Sequence, residues 1–343
     1  MTSNKNISSV GEFGLIERIK KIVPRAAAEH IILGIGDDTA ILKITAQKWL
    51  LATCDIQIED IHFRIKHSSS YQIGRRAMTV NLSDIASMGG NPTYSLISAG
   101  LPPNLELKDF DDLFKGMSDA LAEHLAFIIG GNLAHTTNKL IIDVFLLGEI
   151  LPERLLLRSN AQPGDRIFVT GTLGASAAGF YVLENFGKDY PKNYSHLVQS
   201  HLEPIAKIET GVEIARSGYA TSMIDISDGL AGDLNHICDG SSVGAEIFEG
   251  NIPYPEKMDE LTDTISKNKI DLALHGGEDY ELLFTMRADT PPEILEKIGT
   301  ATKTKITEIG KILSKEKGFH IITEQNRRLP LQPKGWDHFG LME

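Results

Sequence analysis

Apolar residues recur every three or four positions in several parts of the chain, which is the spacing of one face of an amphipathic helix. Residues 11–23 begin the series, and Pro24 directly after them would end the helix. The apolar positions of this segment include Phe13, Ile16 and Ile19. The same spacing predicts further helices over residues 70–88, 107–125, 176–184, 205–217 and 230–239.

Short runs rich in apolar and β-branched residues lie between the helical segments and predict strands. These runs cover residues 139–150, 167–170, 280–286 and 305–311. Helices and strands therefore alternate along the chain, which indicates a mixed α/β (α+β) protein.

The length of 343 residues is large for a single hydrophobic core and predicts about two domains. The composition changes near the middle, where residues 154–165 are polar and include asparagine, proline and glycine. Residues of these types are typical of turns and linkers. We therefore predict an N-terminal domain over residues 1–153 and a C-terminal domain over residues 154–343.

The formal net charge of -12 argues against nucleic acid or an anionic membrane surface as the main partner. Cys54 and Cys238 are the only cysteines, and they stand far apart without a Cys-x-x-Cys pattern. This spacing supports neither a disulfide framework nor a zinc site, and it fits a reducing cytoplasm. The polar start of the chain is unlike a signal peptide, and no run of about 18 apolar residues follows it, so we expect a soluble cytoplasmic protein.

A series of aspartates stands where apolar runs end. The series consists of Asp37, Asp38, Asp55, Asp84, Asp225 and Asp228. We expect each of them at the end of a buried element or at a helix start, where a carboxylate is costly unless something positive meets it. No comparable series of basic residues accompanies them. Oxygen ligands of this kind suit Mg²⁺, which takes further ligands from substrate phosphates, so the pattern predicts metal-assisted phosphate chemistry.

Common nucleotide-binding and hydrolase motifs are absent from the sequence. It contains no Gly-x-x-x-x-Gly-Lys-[Ser/Thr] loop, no Gly-x-Gly-x-x-Gly after a strand and no Gly-x-Ser-x-Gly elbow. Four glycine-rich turns instead allow a ligand to approach the backbone closely. They lie at residues 34–38, 89–91, 130–132 and 276–279.

Six strings of residues, in this order along the chain, resemble the thiamine-monophosphate kinase family. They are GEFGLI at 11–16, GIGDD at 34–38, VNLSDIASMG at 80–89, DISDGL at 225–230, HGGEDYELLFT at 275–285 and GWDHF at 335–339. The aspartate and Ser-Asp-Gly patterns are shared with the wider aminoimidazole ribonucleotide synthetase superfamily. The first, fifth and sixth strings point to the thiamine enzymes themselves. The resemblance implies a two-domain PurM-like architecture, in which the N-terminal sheets of two chains pair in a homodimer.

The resemblance also implies an activity, the ATP-dependent phosphorylation of thiamine monophosphate to thiamine diphosphate, by Mg²⁺-assisted in-line transfer of the γ-phosphoryl group. A phosphate monoester is already largely dianionic at pH 7, so the reaction requires no strong general base. The obstacle is repulsion between two anions, and at about 4 Å two unit charges repel by roughly 4 kcal/mol at an effective dielectric near 20. Metal ions and positioning groups would therefore carry most of the catalysis.

Matching the motifs position by position implies three sets of site residues. The Mg²⁺ ligands would be Asp38, Thr53, Cys54, Asp55, Asp84, Asn132, Asp225 and Asp228. The ATP contacts would be Gly131, Asn132, Arg158 and Ser227. The contacts to thiamine monophosphate would be His62, Glu278 and Trp336, because an aromatic face suits a cationic ring and a flat pyrimidine.

Several positions depart from the family pattern. Asn132 stands where an aspartate is usual, so we expect weaker metal affinity there without loss of activity, because an amide oxygen can still bind a hard cation. Cys54 stands where a hydroxyl residue is common, and the change is harmless if the backbone carbonyl of Cys54 is the ligand. Glu203 and Lys207 stand where the family tends to have arginines, so we assign no phosphate contact to that segment.

Taken one at a time, the candidate residues also have plainer interpretations. Asp228 could be a helix N-cap, and Asp84 a polar residue on a helix face. Arg158 could be a solvated charge, His62 a packing histidine and Trp336 a cap on the second domain. The function has two alternatives as well. They are another ATP-using member of the superfamily, such as a cyclo-ligase or a selenophosphate-type synthetase, and a nucleotide-binding paralogue without catalysis.

Overall fold

The structure, a computed structural model, describes residues 12–22 and 30–332. In these residues two β-sheets are combined with helices, as the alternating pattern predicted. Within the same ranges, no helix combines the length and the apolar character that crossing a bilayer requires.

The first sheet has six strands in the order β1-β2-β3-β6-β4-β5. Its strands are β1 (Ile31–Leu33), β2 (Ala40–Lys43), β3 (Trp49–Ile58), β4 (Asn91–Leu101), β5 (Phe127–His135) and β6 (Ile141–Ile150). Neighbouring strands are antiparallel except β4 and β5, which are parallel. The helices of this half are α1 (Glu12–Ile22), α2 (Ser70–Ser87) and α3 (Leu107–Ala122).

The two faces of the first sheet differ in burial. Along β3, Leu51, Thr53 and Gln57 are buried, whereas Cys54 and Ile56 are exposed. Since alternate residues of a strand point to opposite faces, the sheet has an inner face covered by the core and an outer face exposed in the single chain.

The second sheet has seven strands in the order β13-β12-β9-β11-β7-β10-β8. Its strands are β7 (Arg166–Thr170), β8 (Ala220–Asp225), β9 (Val243–Phe248), β10 (Leu282–Met286), β11 (Ile306–Ser314), β12 (Phe319–Ile322) and β13 (Arg328–Pro330). The helices of this half are α4 (Ala175–Phe186), α5 (Ser195–Leu202), α6 (Ile208–Ser217), α7 (Leu230–Ser241), α8 (Met258–Ile265), α9 (Lys269–His275) and α10 (Pro292–Thr302).

Helix α2 lies where the two halves share one hydrophobic core. Ser69 and Gln72 form a capping box that fixes the start of the helix. Near its end α2 packs closely against α6, because a Cβ added at Gly211 would lie 2.2 Å from the Ala86 carbonyl oxygen. The core cluster that includes Ile85 continues into β10 of the second half. This packing fixes α2, and the polar residues on it, relative to both sheets.

The prediction that every aspartate of the series lies at the end of an element is wrong for two of them. Asp55 lies in the middle of β3, and Asp84 lies inside α2. In contrast, Asp225 ends β8, and Asp228 stands just before α7. The Asp84 carboxylate accepts a hydrogen bond from the Thr53 hydroxyl, and Asp55 lies close enough to raise the pKa of Asp84. The prediction also missed β3, β4 and β5, which with β6 make up most of the first sheet.

Candidate functional site

Four carboxylates from distant parts of the sequence share one cleft. Asp38 comes from the turn between β1 and β2, Asp55 from β3, Asp84 from α2 and Asp225 from the end of β8. Their proximity is evident in their electrostatics, since Asp55, Asp225 and Asp38 all act to raise the pKa of Asp84. The structure therefore brings together four members of the aspartate series, and their role as metal ligands stays a prediction.

Hydroxyl groups hold the carboxylates of Asp38, Asp84 and Asp225 in place, and two of the three hydroxyls come from α2. Ser83 Oγ donates to Asp225 Oδ2 at 2.6 Å, and Ser87 Oγ donates to Asp38 Oδ2 at 2.7 Å. The Thr53 hydroxyl of β3 donates to the Asp84 carboxylate. One face of the final two turns of α2 thus orients the cluster.

Burial and mutual repulsion raise the pKa values in this cleft. Burial is the largest cause for Asp225, whose pKa rises to about 6, and for Asp38 and Asp84, whose pKa values rise well above the usual range. Partly buried carboxylates that repel one another, together with the nearby hydroxyl oxygens, form the donor set that a hard cation such as Mg²⁺ prefers.

A further buried carboxylate, Asp233, shapes the segment between β8 and α7. Its Oδ2 accepts hydrogen bonds from the backbone N–H groups of Ser227 and Asp228, each at 3.1 Å. Candidate ligand atoms of Asp228, Asp233 and His236 lie within 4.8 Å of one another. Asp233 and His236 are not among the site residues predicted from the sequence. Their positions in the first turns of α7, directly after the Ser-Asp-Gly string, were the available signal.

Arg158 joins the first glycine-rich turn to the second half of the chain. Its side chain donates to the Gly36 carbonyl, and its backbone N–H donates to Asp37 Oδ2 at 3.3 Å. The guanidinium lowers the pKa of Asp37 and of Asp38 against the larger raising effect of burial. Arg158 is therefore a partly buried, hydrogen-bonded residue at the edge of the cluster, and the interpretation as a solvated charge is wrong.

Cys54 and Asn132 lie on the outer face of the first sheet, away from Thr53 and Asp55. The Cys54 thiol donates to Asp143 Oδ1 at 3.2 Å. Asp143 pairs with Ser98 of β4, and Ser98 pairs with Asn132 of β5, so the side chains of Asp143, Ser98 and Asn132 form one row. In the single chain this row is separate from the four-carboxylate cleft. The proposed ligand roles of Cys54 and Asn132, and the ATP contact of neighbouring Gly131, stay predictions.

His62 lies in the loop that follows β3. Its Nδ1 accepts a hydrogen bond from the Ile58 backbone N–H at 3.0 Å. Glu184 of α4 holds the same loop through Arg64 Nη1 at 2.5 Å and Lys66 Nζ at 3.2 Å. The loop that carries His62 is thus tied to the second half of the chain. Trp336 lies outside the described residues.

Glu278 lies in the loop between α9 and β10, and a network of polar contacts anchors this loop. Its carboxylate accepts a hydrogen bond from Arg76 of α2. The next residue, Asp279, accepts from the backbone N–H groups of Gly174 at 2.6 Å and Ser176 at 3.1 Å, at the start of α4. Burial raises the pKa of Asp279 to about 7. Arg76 was not predicted as a site residue, although its position as a charged residue on the apolar face of α2 was an available signal.

Glu203 and Lys207, the two departures from the family pattern, take part in ion pairs. Glu203 Oε2 lies 3.8 Å from Arg75 Nε, and Lys207 Nζ lies 3.1 Å from Glu281 Oε1. Neither side chain is therefore assigned to a phosphate.

Comparisons with known proteins identify the family. Residues 36–150 match the AIR synthase related protein, N-terminal domain, and residues 162–323 match its C-terminal domain. The thiamine-monophosphate kinase of Aquifex aeolicus (strain VF5) is 36% identical over 97% of this chain and 99% of the relative. That of Bacillus subtilis (strain 168) is 33% identical over 96% of this chain and 99% of the relative.

A solved structure supports the same relationship. The structure of AaThiL complexed with AMPPCP and TMP superposes with a TM-score of 0.84 at 35% identity, covering 98% of this chain and 100% of the other. The sequence relationship spans both halves, and the folds agree over nearly the whole length. This chain therefore belongs to the AIR synthase related proteins and, among them, to the thiamine-monophosphate kinase family.

Proposed function

We propose that this chain transfers the γ-phosphoryl group of ATP to the phosphate of thiamine monophosphate, which forms thiamine diphosphate for thiamine diphosphate biosynthesis. The observation that carries the proposal is the convergence of Asp38, Asp55, Asp84 and Asp225 in one cleft of a chain from this family. A cleft rich in carboxylates would repel both substrates by itself, so it requires cations to bring their phosphates together.

The proposed cation is Mg²⁺, held by this cluster together with Asp228 and the oxygen of Thr53. Bound there, Mg²⁺ would neutralise charge between the phosphates of the two substrates. The residues of the chain would hold the acceptor phosphate in line with the γ-phosphoryl group of ATP and exclude water. No protein base is needed, because the acceptor phosphate is already largely ionised at pH 7.

The nucleotide is proposed to lie beside the segment before α7 and the first glycine-rich turn. Arg158 suits the ATP phosphates because its planar fork matches their oxygens, and Ser227 lies in the segment that Asp233 holds. Gly131 and Asn132 are proposed as further nucleotide contacts from β5. On the acceptor side, His62 and Glu278 come from two loops that are both tied to α4. Trp336 is proposed as a third contact to thiamine monophosphate, from the family resemblance of the sequence.

A homodimer is proposed from the outer face of the first sheet. This face and the edge strand β5 expose large apolar residues, among them Phe127 at 58%, Ile129 at 58% and Leu133 at 54% exposure. An exposed apolar edge strand invites pairing with another sheet, and pairing here would bury the row that contains Asn132. We propose that ATP binds near the face of the first sheet that pairs in the dimer. We also propose two domains, over residues 1–153 and 154–343.

A cytoplasmic location is proposed because Cys54 and Cys238 are both free. Free thiols fit a reducing compartment, where disulfides are rare.

The proposed activity is tested with purified protein, ATP, Mg²⁺ and thiamine monophosphate, by measuring thiamine diphosphate. We expect turnover that requires both substrates and the metal. A nucleotide-binding paralogue would bind ATP without turnover, and a ligase of the superfamily would leave thiamine monophosphate unchanged. Either result would refute the proposed function.

A further inference from the structure

We propose that Arg76 is a positioning residue for the acceptor substrate, because it holds the Glu278 carboxylate where that group meets thiamine monophosphate. This inference rests on the proposed function and on Glu278 as a contact to the acceptor. It gives a role in the reaction to a side chain outside the predicted site residues.

Arg76 joins two elements of the second half to α2. It lies on the buried side of α2 with 3% of its surface exposed. Its Nη1 donates to the carbonyl oxygen of His201 at 2.7 Å, and its Nη2 donates to the Glu278 carboxylate. The guanidinium fork thereby contacts α5 and the loop after α9 together. A lysine has no such fork and could satisfy only part of this arrangement.

The other oxygen of the Glu278 carboxylate faces a histidine. His201 Nδ1 lies 3.6 Å from Glu278 Oε2 and 3.1 Å from Ser176 Oγ. Burial, and after it the charge of Arg76, lower the pKa of His201 well below its usual value. The imidazole is therefore neutral near pH 7, and the full positive charge beside this carboxylate comes from Arg76.

The backbone of the Glu278 loop is fixed independently of that side chain. Glu278 and Tyr280 have φ angles of 60° and 50°, in the left-handed region that residues other than glycine rarely adopt. Their N–H groups donate to Ser227 O at 2.7 Å and Ile226 O at 2.9 Å. Strained backbone held in this way is concentrated at functional sites. The backbone bonds thus set the loop beside the segment after β8, while Arg76 sets the direction of the Glu278 side chain.

The consequence is a carboxylate that is oriented before substrate arrives. A guanidinium buried to this degree is strongly unfavourable without its partner, so the pair opposes movement of Glu278. The Glu278 side chain is still 34% exposed, which leaves it accessible to a ligand. A fixed carboxylate can attract a cationic thiazolium or accept a hydrogen bond from an aminopyrimidine. Orientation before binding reduces the entropy that binding must overcome.

Arg75 provides a matched control on the same helix. Its Nη2 lies 2.8 Å from Glu123 Oε1 and its Nε 3.8 Å from Glu203 Oε2, so it is also a largely buried, ion-paired arginine. One of these partners belongs to the second half of the chain, as the partners of Arg76 do. Both partners lie outside the Glu278 loop. A variant of Arg75 therefore measures what the loss of a buried tie between the halves does by itself.

Steady-state kinetics of the full-length protein with Mg²⁺, ATP and thiamine monophosphate test the inference. We expect Arg76→Met to raise the KM for thiamine monophosphate roughly 10- to 100-fold and to change the KM for ATP less than about threefold. Arg75→Met should leave both KM values within about threefold of the wild type. Arg76→Lys should recover part of the loss, because it keeps the charge without the fork.

Equal changes in both KM values, or equal effects of the Arg75 and Arg76 variants, would overturn the inference, because a purely structural tie predicts them. If Arg76→Met does not fold, Arg76→Lys decides, and an unchanged KM for thiamine monophosphate in that variant refutes the role. Adding Arg76→Met to Glu278→Gln should raise this KM no further, whereas additive effects would show that Arg76 does not act through Glu278. A wild type that forms no thiamine diphosphate would instead overturn the proposed function itself.

Discussion

Two groups of buried charges meet helix α2, and they are built in opposite ways. In the carboxylate cleft, the largest influences on the pKa of Asp84 are burial and three neighbouring carboxylates, and all of them raise it. In the Glu278 loop, the carboxylate accepts a hydrogen bond from the buried guanidinium of Arg76. The first group is mutually repulsive, whereas the second contains its own counter-charge.

This difference separates a site that needs an added ion from one that is complete without it. Repelling carboxylates are stable together only when protons or cations join them. A carboxylate paired with a guanidinium is ordered in the free protein, and it becomes costly only when one partner is removed. The first group should therefore respond to metal and pH, and the second to substitution of either partner.

The largest expected effect is on turnover in the carboxylate cleft. Asp84→Asn should lower kcat by about a thousandfold or more, because it removes charge from the proposed metal site. The fold should stay intact, since the amide oxygen can still accept the hydrogen bond that Thr53 donates to residue 84. Turnover at several Mg²⁺ concentrations and the melting temperature Tm measure the two effects.

Asp111→Asn is the control for this change. Asp111 is an exposed carboxylate on α3, so its substitution should leave kcat unchanged. Full activity of Asp84→Asn at low Mg²⁺ would show that Asp84 is not a metal ligand.

The second effect is a pH dependence of stability in the metal-free protein. Burial raises the pKa of Asp225 from 3.8 to about 6. Between about pH 4 and pH 6 the folded chain therefore binds more protons at this group than the unfolded chain, and linkage makes the free energy of unfolding fall as pH rises. A shift of this size corresponds to about 3 kcal/mol. Denaturant unfolding with a chelator, from pH 4 to pH 8, measures it.

Asp225→Asn isolates this contribution from the other titrating groups. The variant should lose less stability than the wild type across the same pH range, and Mg²⁺ should raise the Tm of the wild type more at pH 8 than at pH 5. Parallel curves for the two proteins would contradict the prediction and would mean that the Asp225 carboxylate carries no unbalanced charge.

The third effect is on stability in the Glu278 loop. Glu278→Gln should lower the free energy of unfolding by about 2 kcal/mol, because it leaves the buried Arg76 guanidinium without a counter-charge. The value is below that of a fully buried pair, since the Glu278 side chain is 34% exposed. Denaturant unfolding at pH 7 without metal measures it. Asp84→Asn in the same assay should cost little or should stabilise, and a similar loss in both variants would erase the distinction between the two groups.

The sequence predicted most where a short-range pattern determined the structure. The spacing of apolar residues predicted a helix over residues 70–88, and α2 covers Ser70–Ser87. The apolar run ending at residue 150 predicted a strand, and β6 ends at Ile150. The aspartate series predicted members of the carboxylate cleft even though the predicted positions of Asp55 and Asp84 within their elements were wrong. The prediction used the residue type, which can be read from the sequence without knowing where an element ends.

The sequence predicted least where residues far apart meet. Arg76 and Glu278 are separated by 202 positions, and no local pattern indicates that they pair. Thr53 and Cys54 were both predicted as Mg²⁺ ligands, and their side chains lie on opposite faces of β3 because adjacent residues of a strand alternate. That separation could have been predicted only if residues 49–58 had been identified as a strand. The run contains both polar and apolar residues on its inner face, which obscured the alternation.

The smallest expected effect concerns the outer row of the first sheet. Asn132 shares this row with Ser98 and Asp143, on the face opposite Asp55. If dimer pairing brings the row into a metal site, Asn132→Asp replaces a neutral oxygen ligand by a charged one. The Mg²⁺ concentration for half-maximal activity should then fall by up to about tenfold. Asn138→Asp, in the exposed loop after β5, adds the same charge outside the row and should have no effect. Identical Mg²⁺ dependence in the two variants would show that Asn132 is not a metal ligand. The proposed metal site would then consist of residues on the inner face alone.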